Sequence, residues 1–165
     1  MEEGGAGSMT LKIERATTAT PEVVELVTEL ESELSANYPP EQRHGLSLDK
    51  LFQPHIHFVI ARQEGRGVGC GGIAFFSGFA ELKRFYVKPD LRGRGIADTI
   101  LRQLADVAAA AGHTLLRLET GTQQRAALRF YERSGFAHCA AFGPYAAMPP
   151  EAIASSIFME RALQA

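Results

Sequence analysis

Apolar residues recur along this chain with two different periods, and the alternation between them lays out the elements. Leu11 to Arg15 reads as a short strand. Thr20 then stands where a helix cap is needed, with Pro21 at the first helical position, and Val23, Val27, Leu30 and Leu34 make one helical stripe. Tyr38-Pro39-Pro40 ends this helix, because proline lacks the amide donor and drives its predecessor toward extended geometry. A second short helix is predicted over Leu46 to Phe52. His55 to Arg62 and Val68 to Phe76 are rich in β-branched and aromatic residues and flank a glycine-containing turn, which predicts a hairpin. Ser77-Gly78 turns the chain into a third strand of this region, Phe79 to Val87.

A longer helix follows, carrying Ile96, Ile100, Leu104, Val107 and Ala111 on one side and stopping at Gly112. Thr114 to Thr120 returns as an apolar strand, so Phe79 to Thr120 is a strand–helix–strand crossover whose two strands are parallel neighbours. Gln123 to Ser134 is predicted as a helix ending at Gly135. Phe136 to Phe142 and Ser156 to Ala162 are predicted strands, separated by the breaks Gly143-Pro144 and Met148-Pro149-Pro150. The outcome is an α/β (α+β) fold: a mixed, mostly antiparallel sheet of six to seven strands with helices on both faces. Met1 to Thr10 is small and polar and is expected to be a flexible segment, leaving residues 11–165 as a single domain.

Composition narrows the function more than the fold. A chain of 165 residues buries enough surface for one core without staples. Its 17 basic and 19 acidic residues are interspersed and leave a net charge of −2, so no overall field recruits nucleic acid or an anionic membrane. Cys70 and Cys139 lie in apolar runs and fit small buried hydrophobes in a reducing compartment. No run reaches the roughly 18 apolar residues of a membrane span and no basic region precedes a long apolar one, which points to the cytoplasm. The five histidines give no metal-ligand spacing, and no metal is expected. No nucleophile elbow G-x-S-x-G is present.

The candidate chemistry gathers where the third strand of the hairpin region meets the longer helix. Arg92-Gly93-Arg94-Gly95-Ile96-Ala97 is a tight glycine-rich loop running straight into a helix start. Backbone amides left unsatisfied there, together with the positive end of the helix dipole, form a phosphate site, and Gly93 and Gly95 let the ligand approach closely. A nucleoside triphosphate loop is excluded, since no Lys-Ser or Lys-Thr follows Gly95. A dinucleotide fingerprint fails at its last glycine, where Asp98 stands, although Glu119 ends the next strand where a ribose-binding acid would lie.

Arg92-x-x-Gly95-x-Ala97 resembles the R/Q-x-x-G-x-G/A signature of the GNAT family of N-acetyltransferases. Lys83-Arg84-Phe85-Tyr86-Val87-Lys88-Pro89 before it and Ala127-x-x-Phe130-Tyr131-x-x-x-Gly135-Phe136 after it resemble that family's motifs in their usual order, over roughly Val59 to the end. The resemblance implies acetyl-CoA as cosubstrate and acetyl transfer to a small-molecule or peptide amine by direct attack. It implies phosphate binding by Arg92, Gly93, Arg94, Gly95, Ile96 and Ala97, backbone pairing of Phe85, Tyr86 and Val87 with the pantetheine arm, and contact of that arm's amide with Gln124. It further implies that Glu81 is the general base and that Tyr131 protonates the departing thiolate. By the residues alone Glu81 reads equally as a charge paired to Lys83 or Arg84, and Tyr131 as a core tyrosine. A non-catalytic acyl-CoA-binding or sensor module is the alternative. Tyr38 to His44 and Gly143 to Met148 are expected to wall the acceptor site, and a homodimer is compatible with all of this.

Overall fold

The computed structural model describes residues 10–164. The expected N-terminal segment therefore lies outside the described residues except for Thr10. Seven strands form one sheet in the order β1-β2-β3-β4-β5-β7-β6. They are β1 (Leu11–Arg15), β2 (Ile56–Gln63), β3 (Arg66–Phe76), β4 (Phe79–Val87), β5 (Leu115–Gly121), β6 (Ala137–His138) and β7 (Ser156–Ala162), with helices α1 (Pro21–Asn37), α2 (Ile96–Ala110) and α3 (Arg125–Arg133). Among these neighbours β4 and β5 alone run parallel, joined by α2 as the crossover predicts.

Both faces of the sheet are covered, and the period of β2 shows how. Ile56, Phe58 and Ile60 pack with Val23, Leu26 and Val27 of α1, while Val59 and Ala61 pack with Ile100 and Leu104 of α2. Such a strand is apolar at nearly every position, which explains its continuous hydrophobic run. Thr20 caps α1 through its side chain, accepting from the Val23 amide, and Pro21 occupies the first turn. On α2 the buried stripe drifts from the predicted one in its second half, to Leu101, Ala105 and Ala108, leaving Val107 half-buried and Ala111 exposed.

Two predicted elements are smaller than expected. Leu46–Phe52 contains only a short 3-10 helix over Leu48–Phe52. Phe136–Phe142 pairs in the sheet only at Ala137–His138, plus one bond from the Cys139 amide to Phe158 O. Beyond it the chain leaves the sheet, because Phe142 turns into a separate apolar cluster with Tyr145 and Phe158. This cluster fixes the segment that closes one side of the site.

Candidate active site

The site starts from a fault in β4. Cys70 pairs with Tyr86 and Gly72 with Lys83, so the single residue Gly71 faces both Arg84 and Phe85, and Arg84 takes φ 49°. This is a β-bulge, which re-aims a strand and increases its twist. Gly71 makes room for it: a Cβ there would lie 3.0 Å from the Phe85 ring and 3.2 Å from Leu104. On its other edge β4 pairs with β5 only at Ala80↔Leu116 and Glu81↔Arg117. From Leu82 to Val87 the two parallel strands are parted, and the peptide groups facing the gap are left for a ligand.

Two cavities occupy this gap and meet at Tyr131. The larger, about 360 Å³, runs from Phe85, Tyr86 and Val87 to Arg92, Gly93, Gly95, Ile96 and Ala97, with Phe130 and Tyr131 of α3 across from them. Gly93 and Gly95 both have φ 83°, a left-handed conformation that glycine adopts without strain. Gly95 precedes α2, whose first backbone bond is Thr99 N to Gly95 O, so the preceding amides are free to hold an anion. Arg129 and Arg133 also line this cavity, adding positive charge at its mouth. A long, polyanionic cosubstrate with a narrow arm fits such a cradle.

The smaller cavity, about 150 Å³, is walled by Tyr38, Arg43, His44, Glu81, Lys83, Glu119, Tyr145 and Tyr131 among others. Glu81 is almost wholly buried; its Oε2 accepts from Tyr145 Oη at 2.7 Å and lies 3.0 Å from Lys83 Nζ, which also donates to Tyr145 Oη at 3.0 Å. Glu81, Lys83 and Tyr145 thus close a triangle. Burial pushes the Tyr145 hydroxyl far above its usual pKa, with the Glu81 charge adding to it. Glu119, at the end of β5, accepts from Ser156 Oγ at 2.7 Å. Burial raises its pKa above the usual carboxylate value, the Ser156 bond and the charges of His44 and Lys83 opposing and Glu81 reinforcing the rise. Glu119 keeps some accessible surface, yet that surface belongs to a concave wall crowded by protein, so desolvation still dominates. Tyr131 is buried and its hydroxyl is held protonated by burial and by the Glu119 charge.

The predicted site residues fall into three groups. Phe85, Tyr86, Val87, Gly93, Gly95, Ile96, Ala97 and Tyr131 line the larger cavity, and the Tyr86 hydroxyl donates to Glu29 at 3.0 Å. Glu81 and Gln124 belong to the smaller cavity, where Gln124 is engaged by Glu33 at 2.9 Å and faces Tyr38. Arg92 lines the larger cavity but turns inward: its Nε donates to Val87 O at 2.9 Å and its Nη2 to Glu33 at 3.2 Å, so it braces the loop. Arg94 is exposed and lines neither cavity. Sequence reasoning missed Arg129 and Arg133 as members of the site, named Glu119 only as a ribose-binding acid of the failed dinucleotide fingerprint, and reached Tyr145 only as part of the expected wall Gly143 to Met148. The i, i+4 spacing of Arg129 and Arg133 beside Phe130-Tyr131 was an available signal; the pairing of Tyr145 with Glu81 was not, since the two lie 64 residues apart.

Comparisons with known proteins give the family and the fold. The Acetyltransferase (GNAT) family model matches residues 23–136. The chain is 42% identical over 143 residues to the IAA acetyltransferase of Azospirillum brasilense, covering 86% of this chain and 90% of that one. A solved structure from Klebsiella pneumoniae assigned to the acyl-CoA N-acyltransferases superposes with a TM-score of 0.74 at 29% identity, over 94% of this chain and 99% of that one. The PaiA N-acetyltransferase of Thermoplasma acidophilum, solved in complex with coenzyme A, shares the fold with a TM-score of 0.74 at 21% identity, over 93% and 99% of the two chains. The chain belongs to the GNAT acetyltransferase family, and it is an acetyl-CoA-dependent N-acetyltransferase. Among the described residues no helix is long and apolar enough to cross a membrane, and no group of three or more acidic, His or Cys side chains is placed to hold a metal.

Proposed function

We propose that the larger cavity holds acetyl-CoA, that the smaller holds a small amine, and that the acetyl group passes directly between them beside Tyr131. The observation that carries this reading is the parting of β4 from β5, which joins the two cavities at one buried tyrosine. Neither Cys70 nor Cys139 lines either cavity, so the reading needs no acyl-enzyme. The relative of Azospirillum brasilense is an IAA acetyltransferase by name, and the Thermoplasma acidophilum neighbour binds coenzyme A. Both support an acetyl-CoA site here. The phosphates would lie against the amides of Gly93, Gly95 and the first turn of α2, with Arg129 and Arg133 as nearby cations, and the arm would pair with the backbone of Phe85 to Val87.

An aliphatic amine, with a pKa near 10.4, arrives protonated and attacks only after losing a proton. Three carboxylates line the smaller cavity, and with Glu33 taken by Arg92 and Gln124, Glu119 and Glu81 are the two at hand. Glu81 is neutralised by Lys83 and held by Tyr145, whereas Glu119 has a raised pKa and one neutral hydrogen-bond donor, the poise of a general base. Glu119 therefore takes the amine proton, and Glu81, expected from sequence to be the base, fixes Lys83 and Tyr145 around the nucleophile. Unpaired amides of the bulged stretch offer hydrogen bonds to the carbonyl oxygen as negative charge develops on it. Tyr131, kept protonated, hydrogen-bonds the departing thiolate and relays to it the second proton of the attacking nitrogen, giving its own proton and regaining one as the intermediate collapses.

Tyr131→Phe tests the last step, because the ring and its contacts with Phe85, Phe130 and Phe136 survive. Turnover is expected to fall by about 10²-fold while KM for acetyl-CoA and the melting temperature stay near the parent's. Parental turnover, with chemistry shown to limit the rate, would remove Tyr131 as the acid.

A further inference from the structure

One wall of the smaller cavity carries more positive charge than its partners neutralise. Arg84 enters it from the bulge of β4 with its side chain 5% exposed; Nε donates to Leu46 O at 2.8 Å, Nη2 meets Glu31 Oε1 at 2.7 Å, and Nη1 has no partner. Arg43 comes from the segment after α1. Its Nη1 lies 3.6 Å from Glu31 Oε2, too long for a hydrogen bond, and its buried Nε is also without a partner. Two guanidinium groups, charged at every physiological pH, thus converge on one carboxylate. That carboxylate is the more solvated member, 41% exposed against 22% for Arg43. Gly45 seats the Arg84 head against the cavity wall, since any Cβ there would overlap the guanidinium carbon.

The other lysine or arginine lining this cavity is satisfied, since Lys83 is held by Glu81 and Tyr145, and Arg92 of the neighbouring loop is held by Glu33. Unpartnered buried donors on a charged group are costly and rare, and a guanidinium's fork matches a carboxylate. On the same cavity stands Glu119, a carboxylate suited to an amine. The cavity is therefore bipolar, and at about 150 Å³ it is sized for a small molecule or a chain end.

We propose that Arg43, backed by Arg84, binds an anionic group of the carboxylate class on the acceptor, so that the acceptor is an amine that also bears a carboxylate and is not a polyamine. This rests on the reading that the smaller cavity receives the acceptor. The carboxylate belongs either to a free amino acid or to a short peptide.

The test is a rate comparison with acetyl-CoA across the standard amino acids, their α-carboxamides, tripeptides with free or amidated C-termini, and putrescine, using the parent, Arg43→Gln and Arg43→Lys. Arg43 is chosen because Arg84 is buried at positive φ and its replacement threatens folding. The parent is expected to favour a carboxylate over its carboxamide by about 10-fold to 100-fold in kcat/KM, the effect of one or two hydrogen bonds to a charged group. Arg43→Gln should bring that ratio close to unity through the acceptor KM, with KM for acetyl-CoA unchanged, and Arg43→Lys should restore part of it. A preference seen among amino acids, and not between free and amidated tripeptides, assigns the carboxylate to a free amino acid; the reverse assigns it to a peptide end. Equal or faster use of carboxamides or putrescine by the parent would overturn the proposal, as would an undiminished preference in folded Arg43→Gln. Absence of turnover with every amine, or failure to bind acetyl-CoA, would overturn the underlying reading and the subsite with it.

Discussion

Gly95→Val is expected to raise KM for acetyl-CoA by about tenfold or more and to leave a folded protein. The Cβ of a replacement meets nothing in the protein within 4 Å, so no packed group is displaced. The obstruction falls instead on the ligand side, where the branched side chain covers the amides at the start of α2 and keeps a phosphate from reaching them. Gly95 has φ 83°, and a β-branched residue held there costs roughly 1–2 kcal/mol or more. For a chain of this length that lowers the melting temperature by about 2–4 °C per kcal/mol. Calorimetry on the folded variant checks the point: an unaltered affinity for CoA would show that the loop does not hold the phosphates.

Glu119→Gln is expected to lower turnover by about 10²-fold to 10⁴-fold near neutral pH and to make the protein more stable there. The two effects have one origin. A carboxylate whose pKa is raised by burial favours folding only while protonated. Its stabilising share is complete below the unfolded value of 4.5 and is lost as pH rises through the higher folded value. Near pH 7 the parent therefore carries the cost of a buried charge. Glutamine removes that charge, so the gain in melting temperature should be present at neutral pH and vanish near pH 4. The parent's kcat/KM should rise with pH as Glu119 ionises. The variant should lose that limb and recover only as the free amine becomes abundant near its own pKa. Glu81→Gln is the comparison: if that variant loses the acidic limb and Glu119→Gln keeps it, the proton goes to Glu81.

The fold was legible because its signals are local. Thr20-Pro21 begins a helix, Gly112 and Gly135 end two others with φ 93°, and the continuous apolar run of β2 announces a strand covered on both faces. The glycine-rich loop proposed to hold phosphate was legible for the same reason, being one unbroken stretch from Arg92 to Ala97. What sequence did not show depends on distant partners. The pairing of Glu81 with Lys83 is readable along the strand, but the hydroxyl of Tyr145 is brought to both only by the packing of Phe142 and Phe158. Glu119 ends an ordinary strand until the gap between β4 and β5 exposes it to a cavity. Arg92 reads as a phosphate ligand because nothing local reveals Glu33, 59 residues earlier, as its partner. The bulge at Arg84 left only an indirect trace, the run Gly69-Cys70-Gly71-Gly72 on the opposing strand.

Direct passage of the acetyl group between two joined cavities is best tested by initial rates measured with both substrates varied, once an acceptor has been found. Both must be bound before any product leaves, so double-reciprocal lines for one substrate at several fixed levels of the other are expected to intersect. Parallel lines would mean that CoA departs before the amine arrives, which requires an acetylated residue on the enzyme and would contradict direct attack beside Tyr131.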